Sequence, residues 1–299
     1  MTDPSNTSQS AASAARRATG DPGVFLIPEE HLPAGFADKV AEGGFVPAPP
    51  RPASTIVLVR DGDDGPEVLL LRRHGRSGFA AGAWVFPGGT VDKEDREPLI
   101  ADRLDGPSPE EWAARMELDD PAEALGFVVA AIREAFEETG ILLSSDAGVA
   151  ADAESLDVAR RALLSEVVGM RQVAVTRNVR LAADRMVYLA HWVTPEPEPR
   201  RYDTRFFLAP VGADALCVPH EAEMTESIWL TPAVAVEHFR SESLKMLPPT
   251  VHTLRRLARY GSVDEMLSAL GSAPVPMILP VMRRQGDGVA IVLPPEDEA

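Results

Sequence analysis

The chain has 299 residues, with 46 Asp and Glu against 29 Lys and Arg, a formal charge of −17. That balance argues against nucleic-acid binding and polybasic membrane attachment, because both rest on Lys and Arg. Apolar residues make up 45% of the chain and Cys217 is the single cysteine, which reads as a globular, cytoplasmic protein with no intramolecular disulfide and no cysteine zinc site.

Residues 1–22 are rich in Ser, Ala, Thr and Gly and are expected to form a disordered tail. They lack the apolar run of a signal peptide, and no later stretch has the ~18 uninterrupted apolar residues of a membrane helix. Pro47, Pro49, Pro50 and Pro52 mark the entry to the ordered core. Ile56 to Val59 and Val68 to Leu71 flank the turn-forming run Asp61-Gly62-Asp63-Asp64-Gly65, which predicts a hairpin. Trp84 to Phe86 is a third apolar run, stopped by Pro87-Gly88-Gly89. Ser108 predicts the cap of a short helix that follows it.

The clearest helix is 122–139, where Leu125, Val128, Val129, Ile132 and Phe136 recur at three- and four-residue spacing. Pro121 suits its start and Gly140 the position past its end. A second helix is expected at 153–168. Strands are expected at Val187 to Val193, Phe206 to Pro210 and Ile228 to Leu230, and helices at Pro232 to Arg240 and Thr250 to Leu270, with a break near Gly261-Ser262. Met277 to Val281 and Val289 to Leu293 are expected to close the chain as a hairpin. Helices and strands mix without regular βαβ alternation, so a Rossmann-type sheet is not expected.

The informative stretch is Arg133-Glu134-Ala135-Phe136-Glu137-Glu138-Thr139-Gly140-Ile141. At ~100° per residue, Glu134, Glu137 and Glu138 share one helix face. They repel one another and sit at the end of the helix where the dipole disfavours negative charge. A hard divalent cation with oxygen ligands offsets both effects. The alternative is a solvated acidic face. Phe127, Ile132 and Phe136 argue against it, since they make the helix a core element. The turn Phe86-Pro87-Gly88-Gly89 adds backbone that a ligand can approach closely.

These residues resemble the Nudix hydrolases, whose box runs Gly, five residues, Glu, seven residues, then Arg-Glu-U-x-Glu-Glu-x-Gly-U, with U aliphatic. Gly89 opens the match, and Arg133, Glu134, Ala135, Glu137, Glu138, Gly140 and Ile141 carry its second half. Two departures stand out. Asp95 replaces the first Glu, and Arg96 to Ile132 gives 37 residues where the box has seven. An interrupted box is similar to the long-insert branch that contains peroxisomal coenzyme A diphosphatases. Similar stretches run from about residue 54 to about 260.

The resemblance implies an α/β/α sandwich with a mixed sheet, an insertion at 96–121 inside the box and a C-terminal helical extension. The expected organisation is a Nudix domain over 50–245, with 246–299 packed on it. The implied activity is cleavage of a nucleoside diphosphate linked to another group, with Mg²⁺ or Mn²⁺ as cofactor. Coenzyme A or acyl-coenzyme A leads as substrate, ADP-ribose or NADH is the alternative, and a non-hydrolytic nucleotide sensor is the alternative outside enzymology. Glu137 and Glu138 are the first metal ligands implied, Glu134 a ligand or base, and the carbonyl of Gly88 completes the set. In His220-Glu221-Ala222-Glu223, Glu223 is the first choice for a distal acidic ligand and Glu221 the second. Arg72, Arg73, Arg76 and Arg205 are candidates to hold phosphates by their planar forks, ordinary surface arginines being the alternative. A homodimer is possible.

Overall fold

A computed structural model describes residues 17–18, 23–75, 80–145 and 153–294. The expected tail, apart from Arg17–Ala18, and the candidate Arg76 lie outside the described residues. Arg17–Ala18 is a two-residue strand paired with Val24–Ile27, so that part of the expected tail is corrected.

The centre of the fold is a mixed sheet. The expected hairpin is Arg51–Gly62 with Gly65–Arg73, paired antiparallel across Gly62 and Gly65. Gly65 sits at φ 116°, a conformation open to glycine and costly for other residues. Tyr202–Pro210 runs parallel to Arg51–Gly62 and antiparallel to Val187–Val193. Met224–Leu230 closes the other side against Gly65–Arg73. The short pieces Trp84–Val85 and Gly88–Thr90 add to the sheet on the two hairpin strands.

Both hairpin strands are apolar on both faces. Ile56, Leu58, Leu69 and Leu71 enter one core. Val57, Val59, Val68 and Leu70 enter the other. This is the signature of a sheet buried between two layers. The first core is covered by Pro109–Met116, Pro121–Thr139, Ala153–Leu164 and Met170–Arg177. The second is covered by Pro232–Arg240, Pro248–Leu257 and Val263–Gly271. The arrangement is the α/β/α sandwich with a mixed sheet.

Element boundaries follow local chemistry. Asp120 accepts from the Ala122 N–H at 2.9 Å and Pro121 opens the acidic helix. Gly140, at φ 76°, ends it. Ser108 and Glu111 form a reciprocal capping box at the start of the insertion helix. The helix expected at 153–168 stops at Leu164, and Glu166 follows with a left-handed backbone. Met170–Arg177 was not anticipated, because its apolar face is only Met170, Val173 and Ala174.

The closing hairpin is real but shifted. Gly288–Val292 pairs with Val281–Gln285, whereas Met277–Ile278 joins the central sheet beside Val187–Val193. Pro280 separates the two runs and has no N–H for a ladder. Gly288–Val292 also pairs with Val24–Ile27, tying the two ends of the described chain into a second sheet. Among the described residues, no helix is long and apolar enough to cross a membrane.

Candidate active site

The acidic helix lies with its inner face in the core and its C-terminal half against the strand Gly88–Thr90. The two meet because the insertion loops out. Residues 98–116 form a 3-10 segment, a short strand and the insertion helix, and return the chain at Pro121. The glycine turn and the Glu-rich end, 45 or more positions apart in sequence, thereby face each other across an open cleft of about 380 Å³. Glu134, Glu137, Glu138 and Glu223 line it, with Gly88, Gly89, Arg73 and His220.

Glycine is required on the turn by contact. A Cβ at Gly89 would collide with the Glu134 carboxylate, and one at Gly88 would collide with the Ser54 carbonyl. The backbone N–H of Gly88 donates to Glu138 Oε2 at 3.1 Å. Glu138 is almost wholly buried, at 3% exposure. Burial, and then the neighbouring Glu134, pushes its carboxyl well above the usual range. Burial also pushes Glu134 up to about 7, against the opposing pull of Arg133. Glu137 is raised in the same way. The cleft therefore crowds carboxyls whose charged forms are disfavoured by burial and by one another.

Arg133 organises two of these carboxylates. Its Nη1 donates to Glu134 Oε1 and to Glu137 Oε2, both at 2.8 Å. Its other face grips Asp95, which is 1% exposed. The Asp95 oxygens accept from Arg133 Nε and Nη2 at 3.0 Å, and Oδ2 also accepts from the Asp92 N–H at 2.8 Å. Arg133 Nη2 donates to the Thr90 carbonyl as well. Burial opposes the Arg133 charge, but Asp95, Glu134 and Glu137 outweigh it and hold the guanidinium further up. Asp95 is thus a buried anchor of Arg133, away from the cleft itself, while Asp92 is half exposed and 3.4 Å from the same guanidinium.

Arg160 fixes the end of the helix from outside, donating from Nε and Nη2 to the Glu137 carbonyl at 3.0 and 2.7 Å. Sequence reasoning missed it. A capping cation from a later helix leaves no trace in local spacing.

The candidate arginines separate. Arg73 lines the cleft, and its Nε is buried with no hydrogen-bond partner among the described residues. Arg72 points the other way along the strand and pairs with Glu226 at 2.6 Å on the surface. Arg205 is not brought to the cleft. It is 5% exposed and donates from Nη1 to Tyr188 Oη at 2.8 Å and to the Met116 carbonyl at 3.2 Å, with its guanidinium over the Phe127 ring. Its strand position faces the insertion helix, so it joins the insertion to the sheet. Of the two distal carboxylates, Glu223 lines the cleft and Glu221 does not.

Among the described residues, no three acidic, histidine or cysteine side chains stand in a ready-made cation cage. The donor set nevertheless suits a hard divalent cation. Its atoms are carboxylate oxygens, they are crowded and buried, and Glu138 has the Gly88 N–H, a neutral donor, at one of its oxygens.

A family model, the NUDT19 Nudix domain, matches residues 50–257. The acyl-coenzyme A diphosphatase NUDT19 of Homo sapiens is 29% identical over 273 aligned positions, covering 78% of this chain and 72% of that protein. Its Xenopus laevis counterpart is 27% identical, covering 77% and 70%. The crystal structure of a Nudix hydrolase from Alicyclobacillus acidocaldarius superposes with a TM-score of 0.60 at 27% identity, covering 76% of this chain and 99% of that one. The matched span takes in the glycine turn, the insertion and the acidic helix, and on that match the chain belongs to the NUDT19 Nudix domain family of Nudix hydrolases.

Proposed function

We propose that the protein hydrolyses the diphosphate bond of coenzyme A or an acyl-coenzyme A, with Mg²⁺ or Mn²⁺ as cofactor. The observation that carries the reading is the convergence of Glu134, Glu137, Glu138 and Arg73 on one cleft in a chain of this family. The likeness to the NUDT19 acyl-coenzyme A diphosphatases supports the substrate.

Glu134, Glu137 and Glu138 hold the cation, with the Gly88 carbonyl and Glu223 completing the set. When bound, the cation neutralises the diphosphate oxygens and makes water a better nucleophile. Arg73 binds a phosphate oxygen through its free Nε–H, a charge-assisted contact. Glu134 sits against Gly89, where it can take a proton from the attacking water. Arg133 keeps Glu134 and Glu137 oriented. Water adds to one phosphorus, the bridging oxygen leaves with the other phosphate, and the products are adenosine 3′,5′-bisphosphate and a 4′-phosphopantetheine.

The test is a panel of free coenzyme A, acyl-coenzyme A esters, ADP-ribose and NADH with each metal, read by product mass. Release of the two named products supports the reading. Preferred turnover of ADP-ribose or NADH replaces coenzyme A as the substrate, and tight binding with no turnover under either metal points to a sensor.

A further inference from the structure

A second cavity opens beside the carboxylate cleft and shares Thr55, Arg73, Gly88, Tyr202 and Thr204 with it. Its volume is about 190 Å³. Phe86, Trp192, Phe206, Leu247, Pro248 and Ile291 give it apolar walls. Among the described residues that line it, Arg73 is the one charged side chain. The far wall is built by the C-terminal extension, and two of its residues, Pro280 and Ile291, lie beyond the span matched by the family.

Three observations define what fits. Continuity with the cleft through Arg73 lets a group covalently attached to the diphosphate reach this cavity. Among the described residues the lining offers no second cation, which suits the pantetheine half better than the 3′-phosphorylated nucleoside half, whose extra phosphate needs its own partner. Beyond Arg73, whose Nε–H is taken by the phosphate, Trp192 carries a buried N–H with no hydrogen-bond partner among the described residues. The occupant therefore combines apolar length with a few acceptor oxygens.

We propose that this cavity seats the pantetheine arm and its acyl chain, and that Leu247 and Ile291 set the preference for chain length. The inference rests on the coenzyme A reading above and adds where each half of the substrate lies. A carbonyl of the arm meets the Trp192 N–H, and the acyl chain meets the apolar wall. The nucleotide half extends to the opposite side of the cleft.

The experiment measures kcat/KM for free coenzyme A and for acetyl-, butyryl-, hexanoyl- and octanoyl-coenzyme A, in the native chain and in Leu247→Trp, which narrows the cavity. In the native chain kcat/KM rises with chain length, by up to about fourfold per buried methylene, and then levels off. In the variant the octanoyl-to-free ratio falls at least tenfold. A second measurement needs no variant. S-octanoyl-pantetheine, which lacks the diphosphate, competes at least tenfold better than pantetheine against coenzyme A hydrolysis, and adenosine 3′,5′-bisphosphate does not share its site. A flat chain-length response alongside good turnover of free coenzyme A overturns the pocket and leaves the activity standing. So does equal inhibition by the two pantetheines, or a Leu247→Trp protein that folds and keeps the native ratio. No hydrolysis of any coenzyme A compound with either metal overturns both.

Discussion

Arg133 and Asp95 form a buried, two-pronged ion pair across 38 positions of sequence, with Nε–Oδ1 and Nη2–Oδ2 both at 3.0 Å. The pair spans the insertion and brings the start of the interrupted box to its end. It also fixes the guanidinium that orients Glu134 and Glu137. Removing one partner of a buried pair strands the other's charge. Asp95→Ala is expected to cost about 3 kcal/mol in urea unfolding. It should also lower kcat, because Arg133 is then free to follow its remaining partners. Asp95→Asn, which keeps one acceptor oxygen, should lose less of both.

Glu138 offers a separation of stability from activity. Its carboxyl is buried beside Glu134 and disfavoured in the charged form. Glu138→Gln keeps the shape and the Gly88 contact while removing the charge. The variant is expected to melt higher than the native chain in EDTA and to lose about a hundredfold or more in kcat. A melting point below native in EDTA would mean that the carboxylate is well accommodated without a cation.

The same crowding sets a pH dependence in the absence of metal. Glu134 is raised from 4.5 to about 7, and Glu137 and Glu138 are raised too. A raised acid favours the folded state while protonated. Its contribution is fully present below the unfolded value and is lost as the pH climbs through the folded one. Melting in EDTA is therefore expected to fall between about pH 5 and 8, and the gain on adding Mg²⁺ should grow over the same interval. Thermal scans across that range, with and without metal, check both trends.

The two turn glycines should differ in how they fail. Ala at position 89 meets the end of the Glu134 side chain, which can swing away, so Gly89→Ala should fold but lose activity. Ala at position 88 meets the backbone of Ser54 and Thr55, so Gly88→Ala should be destabilised by about 1–3 kcal/mol. Denaturant midpoints and kcat measured together distinguish the two.

Arg73 and Arg205 make a matched comparison. Arg73→Ala is expected to raise KM by tenfold or more at little cost in stability, since its Nε–H has no partner among the described residues. Arg205→Met removes a buried tie between the sheet and the insertion helix, leaving the Tyr188 hydroxyl and the Met116 carbonyl without that donor. Its effect should appear in the melting point, with KM within about twofold of native.

The acidic helix, its caps and its three carboxylates were legible in the sequence because 3.6-residue periodicity and Gly140 are local signals. The hairpin around Gly62 and Gly65 was legible for the same reason. The family resemblance added the fold. What the sequence left open was which charged side chains meet. Arg72 and Arg73 are neighbours in the chain, yet strand alternation sends one to Glu226 at the surface and the other to the cleft. Glu221 and Glu223 differ only by which of them the loop before Met224 turns inward. Arg205 reads as a candidate phosphate holder and Asp95 as a departure from the box until the insertion helix covers one and Arg133 captures the other. The C-terminal run needed the fold as well, because two hairpin registers satisfy its apolar pattern and Pro280 permits one of them. Periodicity along a chain determines its elements and faces. Pairing between charges 38 or more residues apart depends on how those faces are stacked, and that is decided only when the layers close.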